Sequence, residues 1–220
     1  MVAKLYKLDL SPPARAAMMA CEVFNVPVEM IDLNLLANHH KTPEFLQINP
    51  VHSIPTLEDG DFILHDSHAI LMYLADTYGK DDSWYPKDTK ARTLVNQKLF
   101  FDTGILFPRL RAITYPIVIE GVKTVAQKLL DNVEEAYGFL EKFLLKTKYI
   151  AGDHVTIADL SVVSDVSTLQ HILKIDAKKY PKTLAWLRDM EKKPYCVKYN
   201  NTGSDALGEL VKNVFGLKFY

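Results

Sequence analysis

Asp66 and Ser67 stand, with His68 between, ahead of an apolar run, Ala69-Ile70-Leu71-Met72, and so put a carboxylate and a hydroxyl at the start of a helix. Free N–H groups at such a start favour an anion. Upstream lies Asn49-Pro50-Val51-His52-Ser53-Ile54-Pro55-Thr56-Leu57. Pro55 has no N–H and keeps Ile54 extended. Ile54–Pro55 is also a candidate cis bond, because X-Pro is the one bond type for which cis costs little. That geometry opens the N–H and C=O of Ile54 to an extended partner strand. Together these residues suit a short peptide that carries a carboxylate at one end.

The elements that must position them read as follows. Residues 3–8 alternate as a strand, and Ser11-Pro12-Pro13 breaks it. A proline in the first helical turn loses nothing, since its missing N–H would be unpaired there. Ala14, Ala17, Met18, Cys21 and Phe24 then recur at helical spacing over 14–25. Residues 28–33 alternate as a second strand, and a short helix is expected near 43–46. Asp59-Gly60 between Thr56-Leu57-Glu58 and Phe62-Ile63-Leu64 predicts a hairpin. A helix follows over 66–78. This β-α-β-α-β-β-α order defines an α/β domain over 1–80. Residues 79–87 read as a linker, and 88–220 as an all-helical domain. Its helices are expected at 88–118 (kinked at Pro108), 123–146, 156–173, 182–192 and 204–215. Thr156 and Asp159 fit an acidic capping box, which makes Asp159 structural.

The composition narrows the class. The chain has 220 residues, 48% hydrophobic and 24% charged, with a formal net charge of −1. Such a chain buries a sizeable core, and its charge balance points away from nucleic acid and anionic membranes. No apolar run is long enough for a membrane span, and the N-terminus lacks the apolar core and cleavage site of a signal peptide. Two lone cysteines, Cys21 and Cys196, suggest neither a disulfide framework nor a metal site. A cytoplasmic location is expected.

Three stretches carry a resemblance to a family. Leu10-Ser11-Pro12-Pro13-Ala14-Arg15-Ala16, Asn49 through Leu57, and Asp66-Ser67-His68-Ala69-Ile70-Leu71-Met72-Tyr73-Leu74-Ala75 resemble cytosolic glutathione transferases of the insect delta and epsilon classes, epsilon more closely. The resemblance spans the chain. It implies a thioredoxin-like N-terminal domain, an all-helical C-terminal domain, glutathione as co-substrate with no metal, a homodimer, and detoxification of xenobiotic electrophiles.

It also implies roles. The reactive species is the thiolate, and a free thiol with a pKa near ~8.5 is mostly protonated at neutral pH. Ser11, just after the first strand, is the expected catalytic hydroxyl that stabilises the thiolate; Tyr6 is the rival, disfavoured because it lies within the strand. Ile54 is expected to pair its backbone with the cysteinyl residue. Asp66 and Ser67 hold the γ-glutamyl end. His40, His52, Ser53, Pro55 and Arg111 complete the glutathione set. His68 joins them, at a position where delta-class members usually carry Arg. Asp102 resembles a residue that reaches the partner subunit's γ-glutamyl site. The electrophile pocket is expected between the domains, from Leu8, Pro13, Leu35, Phe107, Leu110, Arg111, Thr114, Val118 and Leu207.

Conjugation of glutathione to hydrophobic electrophiles is the expected reaction, with peroxide reduction or dehydrochlorination as possible side activities of the same thiolate. Two other classes compete. A non-catalytic protein of this fold would bind glutathione or hydrophobic ligands without turnover. A cysteine-dependent oxidoreductase would need Cys at the start of the first helix, where this chain has Ser11.

Overall fold

The computed structural model describes residues 2–215, with side chains through 212. Met1 and residues 216–220, the end of the expected helical half, lie outside the described residues. The N-terminal part runs β1 (Ala3–Lys7), α1 (Pro12–Val23), β2 (Val28–Asp32), a 3-10 turn (His39–Lys41), α2 (Pro43–Ile48), β3 (Thr56–Asp59), β4 (Phe62–His65) and α3 (Ser67–Tyr78). The strands form one mixed sheet in the order β2-β1-β3-β4. β1 and β2 are parallel, with Leu5 opposite Met30. β3 runs antiparallel to β1 and sets Leu57 against Leu5. Both leucines are fully buried beneath α1 and α3, as one apolar face of a sheet requires. The hairpin turns at Gly60, whose φ of +67° suits glycine.

The second part is helical: α4 (Thr89–Phe101), a π-helical turn (Asp102–Leu106), α5 (Phe107–Glu120), α6 (Gln127–Leu144), α7 (Ile157–Ile172), α8 (Pro181–Glu191), α9 (Pro194–Tyr199) and α10 (Asn201–Phe215). α7 is the central helix. Every residue from Ile157 to Leu169 is buried, the pattern of a helix surrounded on all sides. Asp159 caps it as the sequence suggests. Its carboxylate accepts the Thr156 N–H at 2.9 Å, the Ile150 N–H at 3.0 Å and Trp186 Nε1–H at 2.9 Å.

Two helical expectations change. The helix expected over 88–118 is three pieces, and the break precedes Pro108, which sits in the first turn of α5. In the π-turn the Phe107 N–H bonds to Asp102 O. A residue pair five apart lies about 140° apart around an α-helix, but an i→i+5 bond stacks it on one side. Asp102 and Phe107 therefore line the same cavity. The helix expected from 123 starts at Gln127, because Gly121, at φ +70°, ends α5 in a left-handed cap. The six-residue helix α9 is an addition, too short for periodicity to reveal.

The two parts lock together through α1, which packs on α3 on one side and on α7 and α9 on the other. At the seam Gly203 passes so close to the first loop that a Cβ there would lie 2.2 Å from Asp9 O and 2.8 Å from Arg15 Cδ. Gly203→Ala has no room without a backbone shift. It should lower the melting temperature by several degrees, corresponding to about 1–3 kcal/mol of overpacking. A calorimetric scan that matches wild type would contradict this close approach.

Candidate active site

Three loops at one end of the sheet meet α5 and α7. The first, 49–55, is shaped from inside by Asn49, which is fully buried. Its Nδ2 donates to Ser53 O at 3.1 Å and Thr56 Oγ1 at 2.9 Å, and its Oδ1 accepts the Val51 N–H at 2.9 Å. One side chain thus satisfies a turn that exposes Val51 and His52 and ends in a cis Ile54–Pro55 bond. His52 takes a left-handed φ of +47°. Its ring lies 5.9 Å from that of His40, which is held back near the loop by the 3-10 turn. Burial, then the neighbouring Lys41 and His52, keep His40 below the usual histidine range.

The second loop ends at Asp66. At φ +73° its backbone lies where a non-glycine residue is strained, by about 1–3 kcal/mol, a cost tolerated mostly at functional positions. Asp66 caps α3: its carboxylate accepts the His68 N–H at 2.8 Å and the Ala69 N–H at 3.2 Å. Ser67 follows, buried against the cleft. His68 reaches inward between two carboxylates, with Nδ1 3.3 Å from Asp66 Oδ1 and Nε2 3.0 Å from Asp102 Oδ2. Ser161 Oγ also donates to Asp102. Burial pushes His68 down, but the hydrogen bonds and charges of Asp102 and Asp66 together outweigh it and hold the imidazolium up to about 9. At neutral pH the ring is a fixed cation.

The third loop, 8–11, leads from β1 into α1. Ser11 is the N-cap, but its Oγ accepts only a long 3.4 Å contact from the Ala14 N–H. The loop is fixed from below by Arg15, whose side chain is completely buried. Its guanidinium donates to Leu10 O at 2.9 Å, Asp9 O at 3.2 Å, Ser164 O at 2.8 Å, Thr168 Oγ1 at 2.6 Å and Asn200 Oδ1 at 2.9 Å. Burial brings Arg15 down to about 10, still charged at neutral pH. Alternative nucleophiles or donors lie elsewhere. Tyr6 donates to Glu58 at 3.0 Å and packs on Phe45. Cys21 and Cys196 are enclosed, and burial pushes both thiols up to about 12.

A cavity of about 250 Å³ lies between the first two loops, the start of α1 and the helices, bounded by Pro13, Ser53, Ile54, Pro55, Asp66, Ser67 and His68 on one side. Asp102, Thr103, Phe107, Arg111, Ser161, Ser164 and Asp165 form the other. The family models for the glutathione S-transferase N-terminal domain and C-terminal domain match residues 1–76 and 89–194. Glutathione S-transferase 1 of Manduca sexta is 46% identical over 213 residues, 96% of this chain and 98% of the relative. The chain belongs to the glutathione S-transferase family.

Solved transferases share the whole fold. An epsilon-class enzyme from the housefly, Musca domestica, superposes with a TM-score of 0.94 at 43% identity, over 96% of this chain and 98% of its own. A transferase homologue from Drosophila mojavensis with bound glutathione gives 0.94 at 40% identity, over 97% of each chain. The thioredoxin-like first half and all-helical second half of this transferase follow from both comparisons.

In this transferase nine of the residues expected from the sequence meet in the one cavity: Pro13, Ser53, Ile54, Pro55, Asp66, Ser67, His68, Phe107 and Arg111. Ser11, His40, His52, Leu8 and Leu35 are not among the residues that line it; Leu8 and Leu35 are half-buried, next in sequence to β1 and β2. Leu110 and Leu207 instead join the hydrophobic core, at 1% and 6% exposure. Helical spacing marks an apolar position without telling cleft from core. Thr114 ties its hydroxyl to Leu110 O at 3.1 Å, and Val118 packs on the same core. Asp102 is 3% exposed and engages His68 of its own chain. Arg111 is exposed, stacked 4.4 Å from the Tyr115 ring. Arg15, Asn49, Thr103, Ser161, Ser164 and Asp165 are polar residues at the site that sequence reading missed. Arg15 is defined by partners far along the chain, whereas Asn49 is defined by the turn of its own loop.

Proposed function

We propose that this transferase binds glutathione extended along the 49–55 loop and holds its sulfur as a thiolate with the Ser11 hydroxyl. The long cap contact of Ser11 carries the reading: its oxygen accepts weakly and its proton is free to donate. Lowering a thiol pKa by about two units takes ~2.7 kcal/mol of differential stabilisation. A hydrogen bond to a charged group supplies about 1.5–3 kcal/mol, and the N-terminus of α1 adds favourable potential. Ile54 pairs with the cysteinyl backbone. Asp66 accepts from the glutamyl ammonium, while Ser67 and the His68 imidazolium face its carboxylate. His40, His52 and Ser53 lie at the glycyl end.

The electrophile docks beside Pro13, Phe107 and Arg111, and proximity to the preformed thiolate drives conjugation. Hydrophobic electrophiles fit these side chains, and Arg111 suits one with a polar acceptor. Peroxides and organochlorines would use the same sulfur as nucleophile or base. Among the described residues no helix is long and apolar enough to cross a membrane. We read the protein as a cytoplasmic homodimer, for which exposed Phe62, Ile63, Leu94 and Phe100 supply apolar surface.

The division of labour has a direct test. Asp66→Ala should raise the KM for glutathione about ten-fold, the equivalent of one charge-assisted contact, with little change in the pKa of the bound thiol. A shifted thiol pKa with unchanged KM would place Asp66 in the wrong role.

A further inference from the structure

Behind His68 the cavity wall holds a second carboxyl group that the reaction does not yet use. Asp165 lies one turn beyond Ser161 on α7 and is 2% exposed. It borders the same cavity as Asp102, one helical turn from the Ser161 that donates to that carboxylate. Asp102 Oδ2 is occupied by His68 and Ser161. The remaining oxygen, Asp102 Oδ1, and Asp165 Oδ2 are both buried and have no hydrogen-bond partner among the described residues. Two orphaned acceptors on buried carboxyls of one cavity wall are costly, and two like charges buried there more so. One proton shared between the groups removes both penalties.

The surrounding charges say which group carries it. Asp102 faces the His68 imidazolium from the π-turn, and Asp66 faces the same ring from the cap of α3. Arg15, on α1, favours an ionised Asp165 through space, but its donors are taken by Leu10 O, Asp9 O, Ser164 O, Thr168 and Asn200. Arg111, on α5, borders the same cavity from the exposed side. Burial first, and the charge of Asp102 second, push Asp165 well above the usual carboxylate range.

We propose that Asp165 is a protonated carboxyl whose hydrogen bond to Asp102 leaves Asp102 the single anion behind His68 and so positions the imidazolium that meets the peptide carboxylate. The last step rests on the glutamyl subsite assigned above. Asp165 is thus a positioning residue. Its proton spares an anionic tripeptide a further negative charge in the wall, and it fixes the carboxylate that keeps His68 charged. His68 remains cationic until the pH climbs through about 9, and the attraction for a carboxylate is lost above that.

Asp165→Asn keeps the shape and a donor but cannot ionise. The infrared difference between wild type and Asp165→Asn at pH 7 should contain the C=O stretch of a protonated carboxylic acid; carboxylate bands in its place would overturn the proposal. Should the variant fold poorly, the carboxyl carbon shift of Asp165 in the wild-type protein decides the same point. By nuclear magnetic resonance without ligand, His68 in Asp165→Asn should titrate within about half a pKa unit of wild type, whereas in Asp102→Asn it should fall by about one unit or more. A drop of that size in Asp165→Asn would show Asp165 to be an anion and end the proposal. None of these readings needs glutathione. If they hold while Asp102→Asn leaves the glutathione KM at pH 8 unchanged, instead of raising it about two-fold or more as the charged fraction of His68 falls, the glutamyl subsite fails and the shared proton stands.

Discussion

Ser11→Ala should cut kcat for an aromatic electrophile at pH 6.5 by about 5- to 50-fold while glutathione still binds. The size follows from the chemistry. Removing a hydroxyl donor from a thiolate returns about 1.5–3 kcal/mol to the charged form, which is about one to two pKa units. Below the thiol pKa each unit removes nine-tenths of the nucleophile. The deficit should therefore shrink as the pH rises toward 9, where the thiol ionises unaided. A helix cap alone would behave differently. The 3.4 Å contact to the Ala14 N–H is long, so the lost cap should cost under about 1 kcal/mol of stability and leave no pH-dependent rate effect. Equal loss at every pH would speak for the cap.

Arg15→Leu carries the largest expected effect on stability. The guanidinium has no exposed surface and joins the loop before Ser11 to α7 and to the junction of α9 and α10. Leucine would strand the carbonyls of Asp9, Leu10 and Ser164 together with the polar ends of Thr168 and Asn200. Each buried orphan costs about 1–3 kcal/mol, and breaking a buried charged network costs about 3–5 kcal/mol. The expected outcome is a loss of about 3–5 kcal/mol in chemical denaturation, with activity falling well below the melting temperature as the Ser11 loop loosens. Arg15→Lys should not restore it, because a single ammonium cannot span the fork of acceptors that a planar guanidinium reaches. Wild-type stability in the lysine variant would show that charge alone matters at this position.

Legibility in the sequence followed the range of the interactions. Pro55, Asp59-Gly60, Asp66-Ser67 and Thr156 with Asp159 act within a few residues of themselves, and each turned up where its chemistry requires it. The apolar periodicities located the long helices, and the resemblance of three stretches pointed to the family. What failed to show has non-local causes. The π-turn at Asp102–Leu106 adds residues to a helical turn without altering the composition around it. It aims Asp102 at His68 of its own chain. Arg15 reads as an ordinary charged residue on a helix until Asn200 and Thr168, far downstream, are seen to enclose it. Leu110 and Phe107 share a hydrophobic stretch, yet one is core and the other borders the cavity, a difference set by how α5 packs on α7 and α10.

The account depends on the ionisation of one sulfur. Titrating the ultraviolet absorbance of bound glutathione's thiolate in wild-type and Ser11→Ala protein measures it without turnover. A wild-type midpoint about two units below the free thiol's ~8.5, moving back toward that value in the alanine variant, is the predicted result. Identical midpoints in the two proteins would contradict it and assign the stabilisation of the thiolate to another donor.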